Sequence, residues 1–247
     1  MMIAFWVAGA TFVLTLCGGL LVLRLQVYQG MVFAFCAGVL IAGALMEVIP
    51  ESLELLSTTG STFHHHHILL SCALGFLCFY LVEHLTHQRE TPAEQAAHHA
   101  HAPHAGIWGA TGILVHSLFD GFAIGQGFHA GEHVGWAIAL GITLHKIADG
   151  ASIAGVMLGT QQTVRATRIM LVLTALAPLV GVYAQSFVTF QTALLALLLA
   201  WFGGVFLYLG AGSLLPAAHD ASHSRQLPVA TLAGVLFVYG AQILAHH

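Results

Sequence analysis

The sequence predicts an all-α integral membrane protein with eight transmembrane helices. Three observations carry that expectation. Of 247 residues, 58% are hydrophobic and only 6% charged, against roughly 25% charged in an ordinary soluble domain. The apolar residues fall into eight runs near the ~20 residues a helix needs to cross a bilayer core. Of the six Lys and Arg residues, all but Lys146 fall in alternate connections between those runs.

Taken in order, span 1 is Ile3 to Leu23. It lacks the basic flank and small-residue cleavage site of a signal peptide, so a permanent span is expected. Span 2, Gly30 to Pro50, carries one acid, Glu47, on its last third; span 3 is Ile68 to Leu85. Spans 4 and 5, Ile107 to Phe128 and Val134 to Leu158, hold the chemistry discussed below. Span 6, Ile169 to Phe190, contains Pro178, which removes a helix hydrogen bond and is expected to kink it. Span 7 is Ala193 to Leu215 and span 8 is Pro228 to Leu244. Connections are short except Glu51 to His67 and Thr86 to Gly106. Residues 1–247 therefore read as one transmembrane domain, with 86–106 a His-rich loop.

Eight spans place Arg24, Arg89, Arg165, Arg168 and Arg225 on one side and no Lys or Arg on the other. Cytoplasmic loops gather basic residues, which predicts both termini outside, in a plasma or bacterial inner membrane. A weaker match links spans 2 and 7: Gly38-Val39 stands twelve residues before Pro50, and Gly204-Val205 twelve before Pro216. These spans run in opposite directions, so the match points to an inverted repeat of the kind transporters use.

Spans 4 and 5 share a motif. His116-Ser117-Leu118-Phe119-Asp120-Gly121 returns 29 residues later as His145-Lys146-Ile147-Ala148-Asp149-Gly150. An imidazole and a carboxylate four residues apart share one helix face. His116 lies about ten residues into its span and His145 about twelve into its own, near the midplane at ~1.5 Å per residue. Two imidazoles with two carboxylates suit a divalent first-row metal such as Zn, Fe or Mn. Ionisable groups are costly in hydrocarbon unless they pair, bind an ion or line a wet path. The alternative is that these are paired side chains stapling two helices. Gly121, Gly125, Gly150 and Gly155 read either as close-packing residues or as room for an ion path.

HSLFDGFAIG in span 4 and LHKIADGASIAG in span 5 resemble the paired signatures of the ZIP family of divalent metal transporters. Support comes from FAFCAGVLIAGALMEVIPES, LGFLCFYLVEHLTH and FGGVFLYLGAGSLLP in spans 2, 3 and 7, so the resemblance covers most of the chain. It implies a ZIP-like bundle, an inverted repeat of helices 1–3 and 6–8 around helices 4 and 5, and metal movement toward the cytosol. It assigns His116, Asp120, His145 and Asp149 to the primary metal site. Ser117 and Lys146 fall where some members hold a second metal; an ammonium there repels a second dication. One ion is therefore expected, with Lys146 as internal counter-ion to the aspartates. Two departures bear on metal preference: both family glutamates are Asp here, and the proline before the second acid is Ala148. Zn2+ is the favoured cargo, with Fe2+, Mn2+ and Cd2+ as alternatives. No prosthetic group is expected.

Glu47, where the family often has His, reads as an entrance ligand or as an ordinary interfacial carboxylate. Glu51, Glu54 and His64 to His67 are candidate collectors of cations outside. His84, His87, His98, His99, His101 and His104 read as a metal-receiving loop or a plain tether, with His219, Asp220 and His223 repeating the theme after span 7. Cys17, Cys36, Cys72 and Cys78 sit in apolar runs without zinc-knuckle spacing and read as small core residues. Six scattered basic residues exclude a nucleic-acid surface, leaving divalent metal ions and the lipid bilayer as partners and a homodimer open. Two rivals remain. An intramembrane zinc hydrolase acting on lipid would need a metal-bound water, but no His-Glu-x-x-His is present. A haem carrier using His116 and His145 leaves both aspartates unexplained.

Overall fold

The computed structural model describes residues 2–25, 28–57, 63–87, 103–187 and 191–246. Among them every regular element is helical. Helix α1 spans Met2–Arg24. Helix α2 (Gln29–Ala42) runs without a break through a π-helical turn, Gly43–Val48, into α3 (Ile49–Ser57). Helices α4 (His65–His87), α5 (Pro103–Ala130), α6 (Glu132–Gly159) and α7 (Val164–Ala184) follow. Helix α8 (Thr192–Tyr208) continues through a second π turn, Leu209–Leu214, into α9 (Leu215–Ala221), and α10 is Leu227–His246. Among the described residues five stretches are long and apolar enough to cross a membrane: Met2–Arg24, Gln29–Ser57, Gly106–His129, Val164–Ala184 and Ala193–Ala221.

Helix ends depart from the sequence expectation in informative places. The helix through span 2 continues past Pro50, so Glu51 and Glu54 lie on α3 instead of in a loop. His65 to His67 form the first turn of α4. Helix α7 starts at Val164, where the Thr163 hydroxyl caps it by accepting from the Ala166 N–H at 3.2 Å. Arg165 and Arg168 are therefore helical, and His219 and Asp220 lie on α9. Hydropathy marks where the bilayer ends, whereas helices stop where caps and breakers stop them. Pro178 lies inside α7 without ending it.

The cysteine expectation is corrected in half. Cys36 and Cys72 are buried, but Cys17 and Cys78 face outward. So do Trp6, Leu20, Leu69, Leu173 and Val229. In a membrane protein the outer surface is as apolar as the core, and apolarity does not tell one face of a helix from the other.

Both π turns precede a proline. Proline cannot donate to the carbonyl four residues back, and its ring crowds that carbonyl. The chain widens to bonds spanning five residues, Ile49 N–H to the Ala44 carbonyl and Leu215 N–H to the Gly210 carbonyl. Gly43–Val48 and Leu209–Leu214 occupy the same seven-to-two-residue offset from Pro50 and Pro216.

Four helix crossings are built alike, each from two glycines that leave no room for a Cβ. A Cβ on Gly18 would collide with the Ile147 carbonyl, and one on Gly150 with that of Thr15. Gly121 and Gly181 face the Pro178 and Leu118 carbonyls, Gly38 and Gly234 those of Thr231 and Phe35, and Gly75 and Gly204 those of Trp201 and Cys72. In every case the apposed carbonyl belongs to the residue three before the reciprocal glycine. Bare Cα–H groups thus lie against carbonyls, the contact by which small residues bring membrane helices together.

These crossings sort the helices into two groups. Helices α1, α5, α6 and α7 pack chiefly on one another; α2, α4, α8 and α10, with α3 and α9, form the second group. The groups meet where α6 contacts α2 and α10, and where α5 contacts α4 and α8.

Candidate metal centre

The short link between Ala130 and Glu132 makes α5 and α6 adjacent, and their shared face holds the motif residues. His116 and Asp120 stand one turn apart on α5, with His116 Nε2 3.5 Å from Asp120 Oδ2. Asp149 reaches them from α6. One ligand atom from each of His116, Asp120 and Asp149 lies within 4.8 Å of the others, and all three residues are buried. Donors around a tetrahedral zinc at ~2.0–2.2 Å sit about 3.3–3.6 Å apart, so the three lie near the spacing that one ion requires. His145 belongs to α6, but its side chain lies outside the described residues.

Lys146 stands in the middle of this group and is wholly buried. Its Nζ donates to Asp149 Oδ2 at 2.5 Å, to Asp120 Oδ2, and to Ser117 Oγ at 3.2 Å. Snorkelling to an interface is thereby excluded. A buried ammonium is tolerable only when paired and hydrogen-bonded, and here two carboxylates and a hydroxyl meet it. Ser117 belongs to the shell of the ammonium. A cation therefore already bridges both acids, and a metal ion must share them or displace it.

Around the ionic cluster the walls are apolar. The His116 ring meets Phe206 edge-on with centroids 4.8 Å apart, and Phe202 at 6.0 Å. A cavity of about 20 Å³ is lined by His116, Asp149, Ala148, Phe206 and, from the first π turn, Gly43, Glu47 and Val48. About 10–15 Å³ suffices for one water-sized occupant. Glu47, half-buried, thus shares a cavity with two of the candidate ligands, His116 and Asp149.

These features meet in a specific combination: a repeated His-x-x-x-Asp-Gly on adjacent helices, and a buried cluster able to take a dication. A family model described as ZIP Zinc transporter matches residues 94–245, more than half of the chain. The chain belongs to the ZIP zinc transporter family. This ZIP protein is accordingly an integral multi-pass membrane protein that transports divalent metal ions, in a family of transporters and not of enzymes. The matched residues take in the whole of α5 to α9, whereas the resembling stretches of spans 2 and 3 lie before them. No curated protein matches the chain.

The remaining sequence candidates of this ZIP protein lie apart from the centre. His64, His66 and His67 cluster with ring centroids 4.4–6.1 Å apart, where His67 Nδ1 accepts from the His64 N–H at 3.0 Å. Glu51 and Glu54 are exposed on α3. His84 is exposed and stacks on Tyr80. His219 is exposed, its Nδ1 2.8 Å from the Leu215 carbonyl, and Asp220 and His223 are exposed too. His98, His99 and His101 lie outside the described residues, as do the side chains of His87 and His104. Sequence reasoning missed Phe202 and Phe206, whose aromatic run in span 7 looks like lipid-facing surface. It also missed the contact of Gln242, a lone amide in the last span, whose Nε2 donates to the Met46 carbonyl.

Proposed function

We propose that this ZIP protein carries Zn2+ into the cytoplasm by alternating access to one site on α5 and α6, with Fe2+, Mn2+ and Cd2+ as further cargo. The observation that carries the reading is the convergence of His116, Asp120 and Asp149 inside the bundle. His145, a turn before Asp149 on α6, is the fourth ligand in this reading. Glu47 is the ligand on the access path, since it shares the cavity with His116 and Asp149. Lys146 offsets the two aspartates when no metal is bound and excludes a second ion.

Eight spans with both termini outside are supported by the one-sided distribution of the five loop-side arginines. An inverted repeat is supported by the matched π turns and by the four reciprocal glycine crossings. The two helix groups suggest the motion: α1, α5, α6 and α7 move as a block carrying the site, against the group containing α2 and α8. The gradient drives the ion, aided by the membrane potential at about 2.3 kcal/mol per charge per 100 mV. His98, His99, His101 and His104 would receive metal on the cytoplasmic side.

The test is zinc uptake into sealed vesicles. His116→Ala and Asp149→Ala are each expected to abolish saturable uptake while the protein still reaches the membrane. Unchanged uptake in either variant would reject the site, and absence of flux in the wild type would favour a hydrolase.

A further inference from the structure

Pro50 has no N–H to give the Met46 carbonyl, the partner an α-helix would supply. Another helix supplies a donor: Gln242 Nε2 of α10 donates to the Met46 carbonyl at 2.5 Å. Met46 lies within the π turn Gly43–Val48, and the next residue, Glu47, lines the cavity that reaches His116 and Asp149. In hydrocarbon an unsatisfied carbonyl costs several kcal/mol, so a donor fixed in place favours whichever turn presents Met46 to it. A π turn holds one residue more than an α turn, and losing it swings side chains on one side of it by about 100°. Glu47 would then leave the cavity wall.

We infer that Gln242 is a positioning residue whose amide holds the first π turn open and so aims Glu47 at the His116–Asp149 end of the cavity. The second π turn carries Ser213 at the corresponding place, three before its proline, so the aimed carboxylate belongs to one access side alone. The consequence for transport rests on the proposed role of Glu47 as an access ligand; the positioning of Glu47 does not.

The experiment uses the full chain in sealed vesicles with zinc as probe. Gln242→Met keeps the length of the side chain and removes its donor. It is expected to raise KM by about 2- to 10-fold, the range of one hydrogen bond, with Vmax within about twofold. Glu47→Gln should raise KM similarly, and the double variant should be no worse than Glu47→Gln alone. Full additivity, a wild-type KM in Gln242→Met, or a fall in Vmax at unchanged KM would overturn the proposal. A second readout needs no transport: Glu47→Cys, in a chain whose four native cysteines are alanine, is labelled in membranes with a small polar maleimide. Labelling should slow when Gln242→Met is added, and equal rates would overturn the positioning. Slowed labelling together with no zinc uptake by the wild type would uphold the positioning and reject the transport reading.

Discussion

Lys146 is the residue on which the chemistry of the centre turns. Its ammonium lies between Asp120 and Asp149 with Ser117 as third partner, so the metal-free cluster carries one net negative charge instead of two. In a low-dielectric surround two bare carboxylates would repel strongly, and the Lys146 ammonium between them offsets that repulsion. The same charge opposes a second dication. Lys146→Asp is therefore expected to raise bound zinc from one ion per chain to two, read by metal analysis of purified protein after dialysis. A count of two in the wild type would contradict the counter-ion role. The sequence showed both motifs and the odd lysine within them. That the ammonium touches both acids was not legible, because it depends on how α5 and α6 rotate about their axes.

At the scale of the helix, glycine and proline do the structural work. Gly150 lies against the Thr15 carbonyl and Gly18 against that of Ile147, so α1 and α6 touch backbone to backbone. Of the two readings of the motif glycines, the contacts of Gly121 and Gly150 support close packing. Gly125 packs on Gln185 and Gly155 on Cys36. Gly150→Ala must push α1 away from α6, since a backbone carbonyl cannot rotate aside, and overpacking of this kind costs about 1–3 kcal/mol. Its midpoint of thermal unfolding in detergent should fall, whereas Gly9→Ala on α1, with open space around the added methyl, should leave it unchanged. Prolines act differently by context. Pro50 and Pro216 each follow a π turn, but Pro178 sits in a helix that continues. The sequence pattern of Gly-Val with a proline twelve positions after the glycine marked both π turns without revealing that they were π.

For the molecule as a whole, orientation is the property to test. If the arginine distribution sets topology, the links after α1, α7's start and α9 face the cytoplasm, and α3 faces outward. In a chain lacking its native cysteines, Glu54→Cys should react with a membrane-impermeant maleimide in intact cells, and Ser224→Cys only after lysis. The opposite pattern would invert the proposed direction of transport.

Composition, span length and the repeated His-x-x-x-Asp-Gly determined that this chain is a helical membrane protein with candidate metal ligands in two adjacent helices. Helical membrane character and the one-turn spacing of each His and Asp reside in residue type and sequence, and hold whatever the arrangement of the helices. Tertiary structure decided which carboxylates Lys146 bridges, which cysteines face outward, and that Glu47 shares a cavity with His116 while Gln242 donates to the Met46 carbonyl beside it. Such facts arise between helices that are apolar nearly all round, where hydropathy has little period to read, and the close fit of glycine against carbonyl and the few buried polar contacts fix which faces meet.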